Sequence, residues 1–282
     1  MNLQQGLKAL IVVLLIFLCT GIYLGLNSHS SEGGENNAPP DRFEEKKELS
    51  HKEKQVNQPA NEENNEITID KDLNSYVLEL LETYENTPYL LNNDYDNYNG
   101  VTTTLTYKNK VLAKAHPSGN KASHCVGLTF EVFFKALQQR NKDLGLELND
   151  FNGMTWEQLY DFLLTWYVAS GDKTTNNIEI AVEKYGIGKS IDKFSEAKPG
   201  DFIDFSRENN TGHTAVFINW IRKNDNIIGF RYWSTQQSTN GISYNEEYFN
   251  VLDEDSNKYG NVMINHVYLA RISPINEYQK LN

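Results

Sequence analysis

Cysteine and positive charge are both scarce in this chain of 282 residues. The only two cysteines are Cys19 and Cys125, whereas a disulfide framework needs more cysteines at regular spacing. Lys and Arg together number 26 against 38 Asp and Glu, which gives a formal net charge of −12. A chain this acidic lacks the basic footprint of nucleic-acid-binding proteins, so we expect no nucleic-acid partner.

Motifs for bound cofactors are missing as well. The sequence contains no phosphate-binding Walker loop, no Gly-rich dinucleotide fingerprint and no His-Glu-x-x-His zinc motif. Cys125, His124 and His116 are poorly spaced for a zinc site. We therefore expect neither a cofactor nor a metal ion.

Charge is absent from residues 9–26, which are almost entirely apolar. A segment of this length comes close to crossing a hydrocarbon core of about 30 Å. Lys8 precedes the segment and Arg42 is the first Lys or Arg after it, so the positive-inside rule directs the rest of the chain outward. The pattern predicts a single-pass membrane anchor with an extracellular domain, and a cleaved signal peptide is the alternative.

The sequence predicts three parts: an anchor or signal at residues 1–26, a linker at residues 27–66 and a folded domain at residues 67–282. The linker is rich in Asn, Glu, Ser, Lys, Gln and Pro. Such a segment cannot bury enough apolar surface to offset its chain entropy. By contrast, the chain contains 16 Tyr, 13 Phe and 4 Trp, and these can build a core for the domain.

Hydrophobic spacing predicts helices in the first half of the domain and strands in the second. Helical spacing recurs over residues 73–84, 123–140, 155–167 and 178–185. Strand-like runs cover residues 201–205, 213–220, 227–234 and 262–272. Helices followed by an antiparallel meander predict an α+β fold, with a helix bundle packed on a curved antiparallel sheet.

Cys125 lies at the start of the second predicted helix. Ser123 is the predicted N-cap, and Phe130 and Phe133 lie on the apolar helix face. The helix dipole and the backbone N–H groups of a first turn favour a thiolate, which is the reactive form of cysteine. We therefore predict that Cys125 is a nucleophile. The alternative is a small cysteine packed beneath the helix start.

A thiolate nucleophile needs a general base within hydrogen-bond reach. Of the six histidines, His213 opens a predicted strand directly after a polar turn, where an imidazole can face a helix start. His124 is adjacent to Cys125 and points elsewhere on a helix. We predict His213 as the base.

A third polar residue can hold the imidazole in one orientation. A two-residue hairpin turn at Asn224-Asp225 places Gln236 opposite His213. The Gln236 amide oxygen can accept a hydrogen bond from an imidazole N–H. A register slip of two residues selects Ser234 or Ser238 instead. The other alternative is that Gln236 is an ordinary loop residue.

Three short motifs around these residues resemble one known family. A Pro-Gly-Asp segment at residues 199–201 precedes a Gly-His pair at residues 212–213, and Cys125 lies at a helix start upstream. This arrangement resembles the NlpC-type cell-wall peptidases and their cousins, the CHAP amidohydrolases. In these families a Tyr in a Thr-Pro-Tyr context helps to shape the substrate site, and Tyr89 has that context at residues 87–89.

The resemblance implies a papain-like fold and a cysteine peptidase or amidase that cleaves amide bonds in peptidoglycan peptides. It implies Cys125 and His213 as the catalytic pair and Tyr89 as a substrate-binding residue. The family has Asp before and Ser after its nucleophile, where this chain has His124 and Val126. Two other functions stay open: a transglutaminase-like acyltransferase with the same pair, and an inactive module that binds the cell wall.

Overall fold

The structure is a computed structural model that describes residues 72–91, 94–168 and 176–281. The predicted membrane anchor at residues 9–26 and the predicted linker at residues 27–66 lie outside these ranges. No helix in the three described ranges is long and apolar enough to cross a membrane.

The described residues contain four α-helices, and each begins near a predicted position. They are α1 (Leu73–Leu81), α2 (Cys125–Asp143), α3 (Trp156–Trp166) and α4 (Asn177–Lys184). Thr155 and Gln158 have the spacing of a capping box in the sequence, and the structure confirms it for α3: Thr155 accepts from the N–H of Gln158, and Gln158 accepts from the N–H of Thr155. Gly186, at φ 62°, follows the C-cap of α4 and ends that helix.

The strands form a hairpin and a larger antiparallel sheet. The hairpin consists of β1 (Leu105–Tyr107) and β2 (Lys110–Ala113). The sheet strands are β3 (Gly188–Ser190), β4 (Phe202–Arg207), β5 (Gly212–Lys223), β6 (Asn226–Gln236), β7 (Gly241–Tyr248) and β8 (Val262–Ile272). Their spatial order is β3-β8-β4-β5-β6-β7, so the last strand returns to lie between the first two.

The predicted papain-like α+β fold, a helix bundle packed on a curved antiparallel sheet, is wrong. The described chain is mixed α/β, with four helices and a six-stranded antiparallel sheet. The β1–β2 hairpin interrupts the helical half, and β8 interrupts the meander between β3 and β4. The helices pack mainly as two pairs, α1 with α2 and α3 with α4, and both α2 and α4 contact the sheet directly. Local hydrophobic spacing finds single elements but does not tell which of them become neighbours.

Two clusters of buried apolar side chains cover the two faces of the sheet. Phe202 and Ile203, adjacent in β4, belong to different clusters, because successive side chains of a strand point to opposite faces. In the larger cluster, Phe133 of α2 stacks on Phe162 of α3 with ring centroids 5.0 Å apart. Burying one such side chain contributes about 1.5–3 kcal/mol, so this cluster holds α2 firmly against the sheet.

The β5–β6 hairpin turns at Asn224-Asp225, as the sequence predicts. These two residues have φ values of 47° and 65°, the positive values that a type I′ turn requires. Lys223 pairs with Asn226 next to the turn, and Val216 pairs with Trp233 farther along. Two irregularities between these pairs cancel, so the predicted register is confirmed as far as the Val216–Trp233 pair, three residues before His213.

Candidate active site

Cys125 is the first residue of α2, and the N-cap before it is His124 rather than the predicted Ser123. The imidazole Nδ1 of His124 accepts a 3.3 Å hydrogen bond from the backbone N–H of Gly127. Burial lowers the pKa of His124, so its ring is neutral and Nδ1 is free to accept. The cap fixes the helix start at Cys125, where the first-turn N–H groups and the helix dipole favour a thiolate.

Ser123 connects the helix start to the segment that carries Tyr89. Its backbone N–H donates to the carbonyl of Pro88 at 3.0 Å, and its carbonyl accepts from the N–H of Leu90 at 2.9 Å. These two bonds form a parallel bridge between Tyr89 and Ser123. Tyr89 therefore lies beside Cys125, although many residues separate them along the chain.

A single cavity of about 160 Å³ brings the predicted site residues together. Its wall contains Tyr89, Cys125, Arg207, Thr211, Gly212, His213, Gln236, Gln237, Ser238 and Glu247. These residues come from the start of α2, the segment around Tyr89 between α1 and β1, and the strands or turns of β4 to β7. The structure thus places the predicted nucleophile, base, third residue and substrate-binding tyrosine around one space.

His213 is the second residue of β5 and pairs with Phe205 of β4. Its ring packs against the rings of Phe205 and Tyr232, with centroids 5.4 Å and 5.6 Å away. Its Nε2 atom is buried and has no hydrogen-bond partner among the residues that the structure describes. A buried ring nitrogen without a protein partner needs a particular explanation, and proton exchange with a thiol or a substrate supplies one.

Gln236 lies in the cavity wall, but no hydrogen bond joins it to His213 within the described ranges. Its Oε1 accepts from the hydroxyl of Tyr232 at 2.7 Å, and its Nε2 donates to the hydroxyl of Ser238 at 2.6 Å. Ser234, the alternative third residue, donates to the carbonyl of Thr214 at 3.0 Å and is not part of the wall. The orienting role of Gln236 therefore stays a prediction.

Sequence reasoning missed two charged residues of the wall, Arg207 and Glu247. They form an ion pair of 2.6 Å, with side chains only 15% and 17% exposed. Burial alone would lower the pKa of Arg207, but the hydrogen bond and charge of Glu247 raise it. Arg207 ends β4, the strand before the one that begins with Gly212 and His213, so its place in the sequence could have indicated that it lies near the site. Glu247 has no such indication in the sequence, because β7 was not predicted as a strand.

Asp204 is a buried carboxyl group on β4, close to the site. Its Oδ1 accepts from the hydroxyl of Thr214 at 2.6 Å, and its Oδ2 accepts from the backbone N–H of Ile178 at 3.2 Å. Burial raises the pKa of Asp204 from 3.8 to about 7; its two hydrogen bonds lower this pKa, and the Cys125 charge raises it. The surroundings of the thiol therefore include a carboxyl group that titrates near neutral pH.

Within the described ranges, no group of three or more His, Cys, Asp or Glu side chains is arranged to hold a metal ion. The chain matches no family model, no curated protein and no solved structure. The resemblance to NlpC-type peptidases therefore depends on short motifs alone.

Proposed function

We propose that this protein is a cysteine hydrolase that cleaves amide bonds, with Cys125 as nucleophile and His213 as general base. The observation that carries the proposal is the shared cavity, whose wall contains both side chains. The cysteine lies in the first turn of a helix, and the histidine has a buried nitrogen without a partner in the described chain. An activated thiol next to a base is the arrangement that nucleophilic catalysis requires.

The reaction is an acyl transfer in two steps. Cys125 Sγ attacks the amide carbonyl carbon while His213 takes the thiol proton, and the first-turn N–H groups of α2 stabilise the negative oxygen. The carbon–nitrogen bond then breaks, and His213 returns its proton to the leaving amine. Water, deprotonated by His213, attacks the thioester, releases the carboxylate product and restores the thiol.

The residue before the nucleophile supports this proposal. The resembling family has Asp there, and Asp is among the preferred N-cap residues because its side-chain oxygen accepts a backbone N–H. His124 performs the same task through Nδ1. The change from the family pattern therefore keeps the capped helix start that activates the cysteine.

The proposed substrates are peptidoglycan peptides, which the motif resemblance implies. A membrane anchor at residues 9–26, followed by a linker, would hold the domain outside the cell membrane, where that polymer lies. The proposed substrates and the proposed location are both independent of the proposed chemistry. The chemistry can be tested with any soluble amide substrate that reaches the cavity.

The experiment measures the release of new amino groups from purified wall peptides. We expect Cys125→Ala and His213→Ala each to abolish release, and the double variant to be no worse, because the pair acts as a unit. His116→Ala is the matched histidine control, since His116 lies outside the cavity wall. Full activity in Cys125→Ala would contradict the proposal. Incorporation of an added amine without hydrolysis would indicate an acyltransferase instead.

A further inference from the structure

The Arg207 side chain is fixed in the cavity wall by its neighbours. Its Nε and Nη2 donate to Oε1 of Glu247 at 3.2 Å and 2.6 Å. Its Nη1 donates to the hydroxyl of Thr211 at 3.3 Å. The guanidinium carbon also lies over the ring of Phe205, 4.9 Å from its centroid. Hydrogen bonds and ring stacking together hold the guanidinium plane in one orientation.

Arg207 still has donors that these contacts do not use. A guanidinium carries five N–H donors, and the three hydrogen bonds within the described chain account for three of them. Arg207 belongs to the same cavity wall as Cys125, so a molecule in that cavity can reach its side chain. Two donors on a planar guanidinium match the two oxygens of a carboxylate.

Glu247 acts as the support of Arg207 rather than as a second binding group. Its Oε1 takes both hydrogen bonds from Arg207 and also lies 3.4 Å from the hydroxyl of Tyr232. Because the supporting carboxylate and Tyr232 are held in β7 and β6, the guanidinium does not have to be ordered when a ligand arrives. Binding groups that are already ordered lose less entropy on binding.

We propose that Arg207 binds a carboxylate of the substrate that lies next to the scissile amide. The substrate class is then an acidic acyl peptide, and the inference rests on the proposed hydrolase function. A cavity of about 160 Å³ has room for a small anionic group in the same space as the thiol. The net charge of the chain, −12, does not attract such a peptide from a distance. The contact with Arg207 therefore has to supply the selectivity locally.

The first experiment measures binding and does not need catalysis. Calorimetry of the Cys125→Ala protein compares a peptide that bears the carboxylate with its carboxamide twin. We expect the acid to bind about 10- to 100-fold more tightly, the usual effect of hydrogen bonds to a charged group. We expect Arg207→Met in the same background to abolish this preference. Arg222→Met is the matched control, because Arg222 contacts the carbonyl of Asp225 at the far end of β5.

Arg207→Lys is included in case Arg207→Met does not fold. Lysine can keep the ion pair with Glu247, but it lacks the two parallel N–H donors of a guanidinium. We expect it to melt like the parent protein and to lose most of the preference. An unchanged preference in a folded Arg207→Lys or Arg207→Met protein would overturn the proposal. A preference for a peptide amine that depends on Glu247 would also overturn the proposal. A preference that depends on Arg207, without hydrolysis by the parent chain, would support the carboxylate site and refute the hydrolase function.

Discussion

Gln236 accepts a 2.7 Å hydrogen bond from the hydroxyl of Tyr232, and both residues lie on β6. The ring of Tyr232 in turn lies edge-on to the ring of His213, with centroids 5.6 Å apart. The hydrogen bond to Gln236 restrains the ring of Tyr232, and that ring packs against one side of the His213 imidazole. Tyr232 therefore links Gln236 to His213 in this structure.

We predict that Gln236→Ala and Tyr232→Phe each lower kcat about 10-fold with little change in KM, because each frees a ring that positions His213. The double variant should lose little more than Tyr232→Phe alone, since both changes remove the bond between Tyr232 and Gln236, and only Tyr232→Phe also removes the contacts of the hydroxyl with Glu247 and Asn245. Steady-state kinetics on a soluble peptide measures these values. Ser234→Ala is the control, because Ser234 bonds to the backbone of Thr214 outside the cavity. Additive losses, or no losses, would reduce the site to Cys125 and His213 alone.

A second prediction concerns the ionisation of the Cys125 thiol. At the first position of α2, in the same cavity wall as His213, the thiol pKa should lie below the usual value of about 8.5. The rate of alkylation by iodoacetamide should therefore level off below that pH, and His213→Ala should move the midpoint upward. A Cys19→Ser background leaves Cys125 as the only thiol. A midpoint at the ordinary value, or no reaction in the folded protein, would indicate a cysteine that is only packed.

The third prediction tests His124 as the helix cap. His124→Ala and His124→Asn both remove the imidazole ring, which lies between the rings of Tyr98 and Tyr167. Only asparagine keeps a side-chain acceptor for the N–H of Gly127. The asparagine variant should therefore be about 1 kcal/mol more stable than the alanine variant, the usual contribution of an N-cap. Urea denaturation measures the difference, and equal stability would show that the hydrogen bond contributes nothing.

The features predicted correctly from the sequence depend on neighbours within a few residues. The turn at Asn224-Asp225 depends on two residues that tolerate positive φ, and the α3 cap depends on Thr155 and Gln158. Because the two irregularities of the β5–β6 pairing cancel, counting from the turn leads to a residue in the same cavity wall as His213. Gln236 was found in this way, without knowledge of the rest of the sheet.

The features that were missed depend on contacts between distant parts of the chain. The position of β8 between β3 and β4 is not encoded in its own hydrophobic pattern. Ser123 is a normal N-cap residue, but its backbone pairs with the segment around Tyr89, so the helix starts one residue later. Glu247 reaches the cavity only because β7 pairs with β6. Such pairings are decided by packing of the whole domain, which local propensity does not contain.

The final prediction follows from the buried carboxyl group of Asp204. Burial raises its pKa from 3.8 to about 7, so between these values the folded protein keeps a proton that the unfolded chain releases. Stability must therefore fall as pH rises through this window and level off above it.

Asp204→Asn removes the titration and keeps an oxygen for the hydroxyl of Thr214. We expect the free energy of unfolding of the wild type to fall relative to this variant between pH 4 and about 7. Denaturant titrations at several pH values measure that difference. Burial also raises the pKa of Glu179 to about 7, so Glu179→Gln should remove a further, smaller part of the slope from this half-buried group. A constant difference between wild type and Asp204→Asn across the window would show that Asp204 is ionised in the folded protein throughout.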